Sequence, residues 1–220
     1  MLDLLVKNAR CIRSDGIREE NIAIENGRIA SLLPCDEKPA AESVLDASGY
    51  CVLPGNRDAH THFNEPGYTW REDFSHGSRA AAKGGVTTVV DMPMNNKPPV
   101  STAKRFMNKK ALVEHESYTD FAFWGALIRT NRDDLQALHE AGAKAFKCFM
   151  CEAGGDYTDL NLSEIEDRLQ LLKAFHGLAG FHCEDYAMLK DEAAAKIAAG
   201  LTSRQDYLDV HSVAAEKKAV

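Results

Sequence analysis

The sequence predicts an α/β fold: an incomplete TIM (β/α)8-type barrel of about five strands, preceded by a small N-terminal β-sandwich portion. Three observations carry this. Residues 2 to about 53 read as short strands separated by tight turns. From residue 54 onward, near-continuous apolar strands alternate with amphipathic helices, the pattern of a parallel sheet covered by helices. Polar groups collect at the C-terminal ends of several of those strands, where barrel enzymes gather their chemistry. The domains expected are therefore 1–53 and 54–220.

In the first portion, Leu4-Leu5-Val6, Asn21-Ile22-Ala23-Ile24 and Arg28-Ile29-Ala30-Ser31-Leu32 are punctuated by Asp15-Gly16 and Asn26-Gly27. Asn-Gly tolerates the positive φ that a two-residue hairpin turn demands, so Glu25-Asn26-Gly27-Arg28 is expected to turn a hairpin. The segment is too small to make a stable sandwich alone and is expected to lean on other strands.

The second portion begins with Val52-Leu53-Pro54-Gly55-Asn56-Arg57-Asp58-Ala59-His60-Thr61-His62, a strand running out into the turn at Glu65-Pro66-Gly67. A helix is expected from Arg71 to Lys83, ended by Gly84-Gly85. The β-branched run Val86 to Asp91 reads as a strand stopped by Met92-Pro93. There follow a helix from about Thr102 to Glu114, a strand around Phe121 to Trp124, and a helix from Asp133 to Ala141. A strand from Ala143 to Met150, a helix from Ser163 to Gly177 and a strand from Leu178 to Cys183 complete the alternation. Tyr186 to Val220 is expected to be helical apart from a break at Gly200-Leu201-Thr202-Ser203. An open doubly wound sheet would fit the same alternation. The strand-end polar groups favour the barrel, and no Gly-x-Gly-x-x-Gly follows the first strand, which lowers a dinucleotide-binding reading.

The 220 residues carry 26 basic and 33 acidic side chains, a net charge of −7 that argues against nucleic acid or an anionic membrane as the main partner. No apolar run approaches the roughly 20 residues that span a bilayer, and the opening Met1-Leu2-Asp3-Leu4-Leu5-Val6-Lys7 lacks the pattern of a signal peptide, so a cytoplasmic location is expected. The six cysteines show no disulfide framework. Cys148-x-x-Cys151 has a redox or zinc spacing, but it stands without a second pair and runs into a Gly154-Gly155 loop rather than a helix, which argues against a redox site.

His60 and His62 share one strand face, a spacing that lets two imidazoles converge on a metal ion, with Asp58 on the same face. An isolated His-x-His is more often a pair of surface histidines. Lys147 sits inside the apolar strand Ala145-Phe146-Lys147-Cys148-Phe149, where an ammonium must pair, lose its proton or be modified, unless it snorkels from an edge. His182 ends another strand and is followed by Glu184 and Asp185.

Together these segments resemble the cyclic amidohydrolases, the metal-dependent group of allantoinase, dihydropyrimidinase (hydantoinase) and dihydroorotase. The matching pieces are Pro54-Gly55 with Asp58 to Gly67, Arg71-Glu72-Asp73-Phe74, Gly84 to Thr88 with Asp91-Met92-Pro93, Phe146-Lys147-Cys148-Phe149 and His182-Cys183-Glu184. The resemblance implies two divalent metal ions, with zinc expected. His60 and His62 would bind the first, Lys147 would bridge both as a side-chain carbamate, and His182 would bind the second. The implied reaction is hydrolysis of a small cyclic amide or ureide by a metal-bridging hydroxide.

Asn64 occupies a position that sorts substrates in the family, and with Glu65-Pro66-Gly67 it looks closest to the allantoinase type; it would contact a ureido group or merely shape the turn. The alternatives are dihydroorotase or hydantoinase activity, or a non-catalytic relic or scaffold. Asn56 and Arg57 depart from the family pattern, which has bulky apolar residues there, and are expected to destabilise the strand unless they find partners. His211-Ser212 replaces an expected arginine-proline step.

Residues 55–220 leave about 165 for a barrel that takes about 250. A further histidine and the general-base aspartate are expected beyond Val220, so the 220-residue chain is expected to be inactive alone. Exposed barrel edges are expected to favour a homo-oligomer or association with another chain.

Overall fold

The computed structural model describes residues 1–220, which divide into two compact units, Met1–Gly55 and Asn56–Val220. The first unit contains β1 (Leu2–Arg13), β2 (Gly16–Glu25), β3 (Arg28–Leu33), β4 (Ala41–Asp46) and β5 (Cys51–Val52). They form one mixed sheet in the order β3-β2-β1-β4, with β5 also pairing β1. The turn between β2 and β3 is the expected hairpin: Asn26 and Gly27 take φ of 52° and 67°, and the Gly27 N–H donates to Asp3 Oδ2 at 2.9 Å. β1 bulges between Val6 and Ala9, where Asn8 donates its N–H to Asn21 Oδ1 at 2.8 Å. Asn21 is buried without penalty because its amide also donates to the Glu37 carbonyl at 2.8 Å. Val6, Ala9, Cys11, Ile22 and Ala47 form the small core of this unit.

The second unit alternates strand and helix. Its strands are β6 (Asn56–Thr61), β7 (Val86–Asp91), β8 (Asp120–Phe123), β9 (Gly125–Ala126), β10 (Ala145–Phe149) and β11 (Leu178–His182). Its helices are α1 (Phe74–Lys83), α2 (Ala103–Val113), α3 (Leu135–Ala141), α4 (Leu162–Ala174), α5 (Tyr186–Ala198), α6 (Arg204–Val210) and α7 (Val213–Ala219). β6-β7-β8 and β9-β10-β11 are both parallel. β8 and β9 are one stretch of chain interrupted at Trp124, whose N–H donates to the Asp91 carbonyl at 2.9 Å. Five strand segments therefore neighbour one another in chain order. Phe63, Phe74, Phe106, Phe123, Leu138, Phe146 and Leu172 belong to the core of this unit. Phe74 meets Phe63 edge-on at 4.9 Å, and α1 lies so close that a Cβ at Gly77 would fall 2.4 Å from the Phe63 ring.

Several helix limits differ from those expected. α1 starts at Phe74 rather than Arg71, because Asp73 caps it, accepting the His76 N–H at 2.7 Å. The third helix starts at Leu135, since Arg129–Asp134 winds as a 3-10 turn. There Asn131 leaves helical geometry and its side chain bonds the Ile128 N–H and the Ser101 and Ala126 carbonyls. The C-terminal stretch breaks a second time at His211-Ser212, where Ser212 caps α7. Asn56 and Arg57 lie exposed on β6, so water solvates both and the expected burial cost does not arise in this chain. No helix is long and apolar enough to cross a membrane.

Candidate metal centre

His60 ends β6 with Thr61, and His62 follows one residue beyond the strand. Their rings approach to 5.2 Å between centroids. His60 is exposed and His62 half-buried, and the His62 Nδ1 is a buried atom with no hydrogen-bond partner. Burial pushes the His62 pKa down; the charge of Asp91 opposes this, while His60, Lys147 and Lys109 push it further down. The imidazole is thereby held neutral, the form that binds metal.

Asp91, at the end of β7, fixes this strand end. It is fully buried and accepts the Phe63 N–H at 2.8 Å and the Thr61 hydroxyl at 3.2 Å, one bond on each side of His62. Its other oxygen accepts from Lys109 Nζ on α2 at 2.5 Å, and Lys109 also donates to Asn96 Oδ1 at 2.7 Å. The sequence places Asp91 at the end of an apolar strand and within a segment that resembles the family, without showing its partners. The sole available signal was a lysine on the apolar side of a helix 18 residues later.

Lys147 is only 6% exposed in the middle of β10. Its Nζ faces the Phe149 ring, 5.0 Å from the centroid, and has no carboxylate partner. Burial pulls its pKa below the usual lysine range, opposed by Cys183 and Cys148. Phe149 stacks in turn on His182, at 5.0 Å and 24°. Lys147 acts electrostatically on His62, whereas His182 is hydrogen-bonded through Nε2 to Glu184 Oε2 at 2.7 Å. The His60 and His62 rings are thus brought side by side, Lys147 lies within electrostatic reach of His62, and His182 engages a separate set of groups.

Asn64 is buried with φ 58°. Its amide donates to the His62 carbonyl at 3.0 Å, while its Oδ1 is buried without a partner. The φ lies in the left-handed region that asparagine tolerates. Cys148 and Cys151 are free thiols that make separate contacts, Cys148 to the Phe149 carbonyl and Cys151 to Glu184. Burial raises both pKa values to about 12, the opposite of a reactive redox pair.

The donor set suits a divalent ion. A neutral imidazole with an unpaired buried nitrogen lies beside a second imidazole, and the buried lysine lacks any counter-charge until an anion or a modification supplies one.

Residues 51–141 match the model of the amidohydrolase family. This stretch is similar to the amidohydrolase family. Along its whole length it is 39% identical to an allantoinase from Deinococcus radiodurans, of which it covers 49%. It is 37% identical to an allantoinase from Desulfitobacterium hafniense over 93% of the chain and 46% of that protein. The amidohydrolase fold is matched in three dimensions by an L-hydantoinase (dihydropyrimidinase) from Arthrobacter aurescens, with a TM-score of 0.94, 29% identity and coverage of 100% of this chain and 49% of that one. The chain spans about half the length of the curated relatives it matches. Amidohydrolases are typically metal-dependent.

Proposed function

We propose that this chain is the ligand-bearing part of a metal-dependent cyclic amidohydrolase of the allantoinase type, built as part of a (β/α)8 barrel preceded in sequence by a β-sandwich portion. The observation that carries the proposal is Lys147: a lysine 6% exposed in mid-strand with no acid to pair with, near a neutral histidine whose buried Nδ1 has no hydrogen-bond partner. Burial favours loss of the ammonium proton; the free amine of Lys147 then adds to carbon dioxide through a new N–C bond and releases a second proton to water, so that a carbamate anion replaces the cation. His60, His62, carboxylated Lys147 and His182 would then hold two divalent ions, zinc being favoured by imidazole and oxygen donors.

When bound, the ions supply Lewis acidity toward an amide carbonyl and activate water at neutral pH. The chain's own groups orient the site. Asp91 pins both flanks of His62, and Asn64 offers Oδ1 to a ureido N–H while its amide holds the His62 carbonyl. The general base and the remaining ligand are proposed to come from the other half of the enzyme, on the same or another polypeptide.

The test is intact mass under native and acid-quenched conditions, with metal and bicarbonate present. We expect a gain equal to one carbon dioxide that acid reverses and Lys147→Ala abolishes; an unmodified lysine at full metal occupancy refutes the reading. Co-expression with the C-terminal half of a related allantoinase is expected to yield allantoin ring opening that a chelator abolishes.

A further inference from the structure

The ends of β10 and β11 hold a second group of metal-binding atoms, of which the proposed hydrolytic centre uses only His182. Phe149 and His182 are register partners, and the Met150 N–H donates to the His182 carbonyl at 3.1 Å, so Cys151 emerges directly beside the end of β11. Donor atoms of Cys151, His182 and Glu184 all lie within 4.8 Å of one another, and no other trio of histidine, cysteine or carboxylate donors in the chain does so. Glu184 is the hub. Its Oε2 lies 2.7 Å from His182 Nε2 and 3.5 Å from Cys151 Sγ, and its Oε1 lies 2.6 Å from His211 Nδ1 at the α6–α7 junction. All four residues line one cavity of about 740 Å³.

A tetrahedral zinc ion with bonds of about 2.0–2.3 Å holds its donor atoms roughly 3.5 Å apart. The trio is already near that spacing, with Glu184 Oε2 2.7 Å from His182 Nε2 and 3.5 Å from Cys151 Sγ. Glu184 alone could be satisfied by hydrogen bonds from its three neighbours. The mixture of sulfur, imidazole and carboxylate around one point is nevertheless the donor set of a borderline-soft ion rather than of magnesium or calcium.

We infer that Cys151, His182 and Glu184 form a separate site for zinc or a similar transition-metal ion, with His211 orienting Glu184 from behind. Binding displaces the Cys151 thiol proton to solvent as the sulfur becomes a ligand. The ion ties the loop after β10 to the end of β11 and, through His211, to the start of the last helix. The site takes His182 from the proposed hydrolytic centre, since a neutral imidazole offers its lone pair to one ion at a time, and rests on none of that centre's other residues.

Cobalt(II) titrated into the 220-residue chain tests it, because only a thiolate ligand gives a near-ultraviolet sulfur-to-cobalt charge-transfer band. We expect one equivalent to raise this band, and the band to persist in a His60→Ala/His62→Ala variant and in Cys183→Ser. We expect Cys151→Ser to abolish it and magnesium not to compete. No band in the wild-type chain, a band that survives Cys151→Ser, or one lost with His60 and His62 would overturn the site. Should Cys151→Ser fail to fold by circular dichroism, Glu184→Gln decides: we expect a loss of cobalt affinity of about 10-fold or more, and unchanged affinity refutes the assignment. Cobalt that binds without the band and is lost in the double-histidine variant belongs to the hydrolytic centre, so the two readings fail separately.

Discussion

Replacing Lys109 by methionine tests whether the strand end that presents His62 is held by a buried charge pair. Lys109 and Asp91 are 1% and 0% exposed, and their atoms meet at 2.5 Å. Burial is the largest influence on Lys109 and lowers its pKa, against the attraction of Asp91. Methionine fills the same space but leaves Asp91 charged in the core with only the Phe63 N–H and the Thr61 hydroxyl as partners. Breaking one side of such a pair costs roughly 3–5 kcal/mol. Asp91→Asn strands the opposite charge and is expected to cost a similar amount, softened by the bond from Lys109 to Asn96. In the double variant neither charge is stranded, so its loss should fall short of the sum by about 2–3 kcal/mol. Urea unfolding followed by tryptophan fluorescence measures this, since Trp70 and Trp124 both lie in the second unit. In the same variants, loosening of Thr61 and Phe63 should weaken metal binding by about 10–100-fold. A Lys109→Met penalty below about 1 kcal/mol, or strict additivity in the double variant, refutes the reasoning.

Asn64→Gly separates backbone from side chain, because glycine accepts the φ of 58° and removes the amide. In a reassembled enzyme we expect little change in melting temperature and a KM for allantoin raised about fivefold, the worth of roughly one hydrogen bond; an unchanged KM assigns Asn64 to the turn alone. Asp167, held by paired bonds from Arg132 at 2.8 Å each and by Arg168, has its pKa lowered from 3.8 to about 2, the bond from Arg132 being the main cause. A depressed carboxylate contributes stability that is present above its unfolded pKa and lost as pH falls through the folded one. Asp167→Asn should therefore flatten the stability profile between about pH 4 and about pH 2, read by thermal melts across that window. An unaltered slope would show that the pair contributes nothing.

Much of this chain is legible without coordinates. The Asn26-Gly27 hairpin follows from which residues tolerate positive φ, and the alternation of strand and helix after residue 54 follows from side-chain periodicity, both properties of neighbouring residues. The helix starts were less legible. Asp73 and Asn131 each redirect the chain through hydrogen bonds to particular N–H groups, and only the folded turn brings those groups within reach.

The sequence by itself determined that five apolar strand segments would alternate with helices, with His60, His62 and His182 toward strand ends and Lys147 inside a strand. Only the tertiary structure decided what surrounds those groups. Lys109 reaches Asp91 across 18 residues, Cys151 meets Glu184 across 33 and His211 meets it across 27. Such contacts depend on parallel strands lying side by side, which no local periodicity encodes. The burial that keeps His62 neutral and leaves Lys147 without a counter-charge likewise comes from distant segments packing around them.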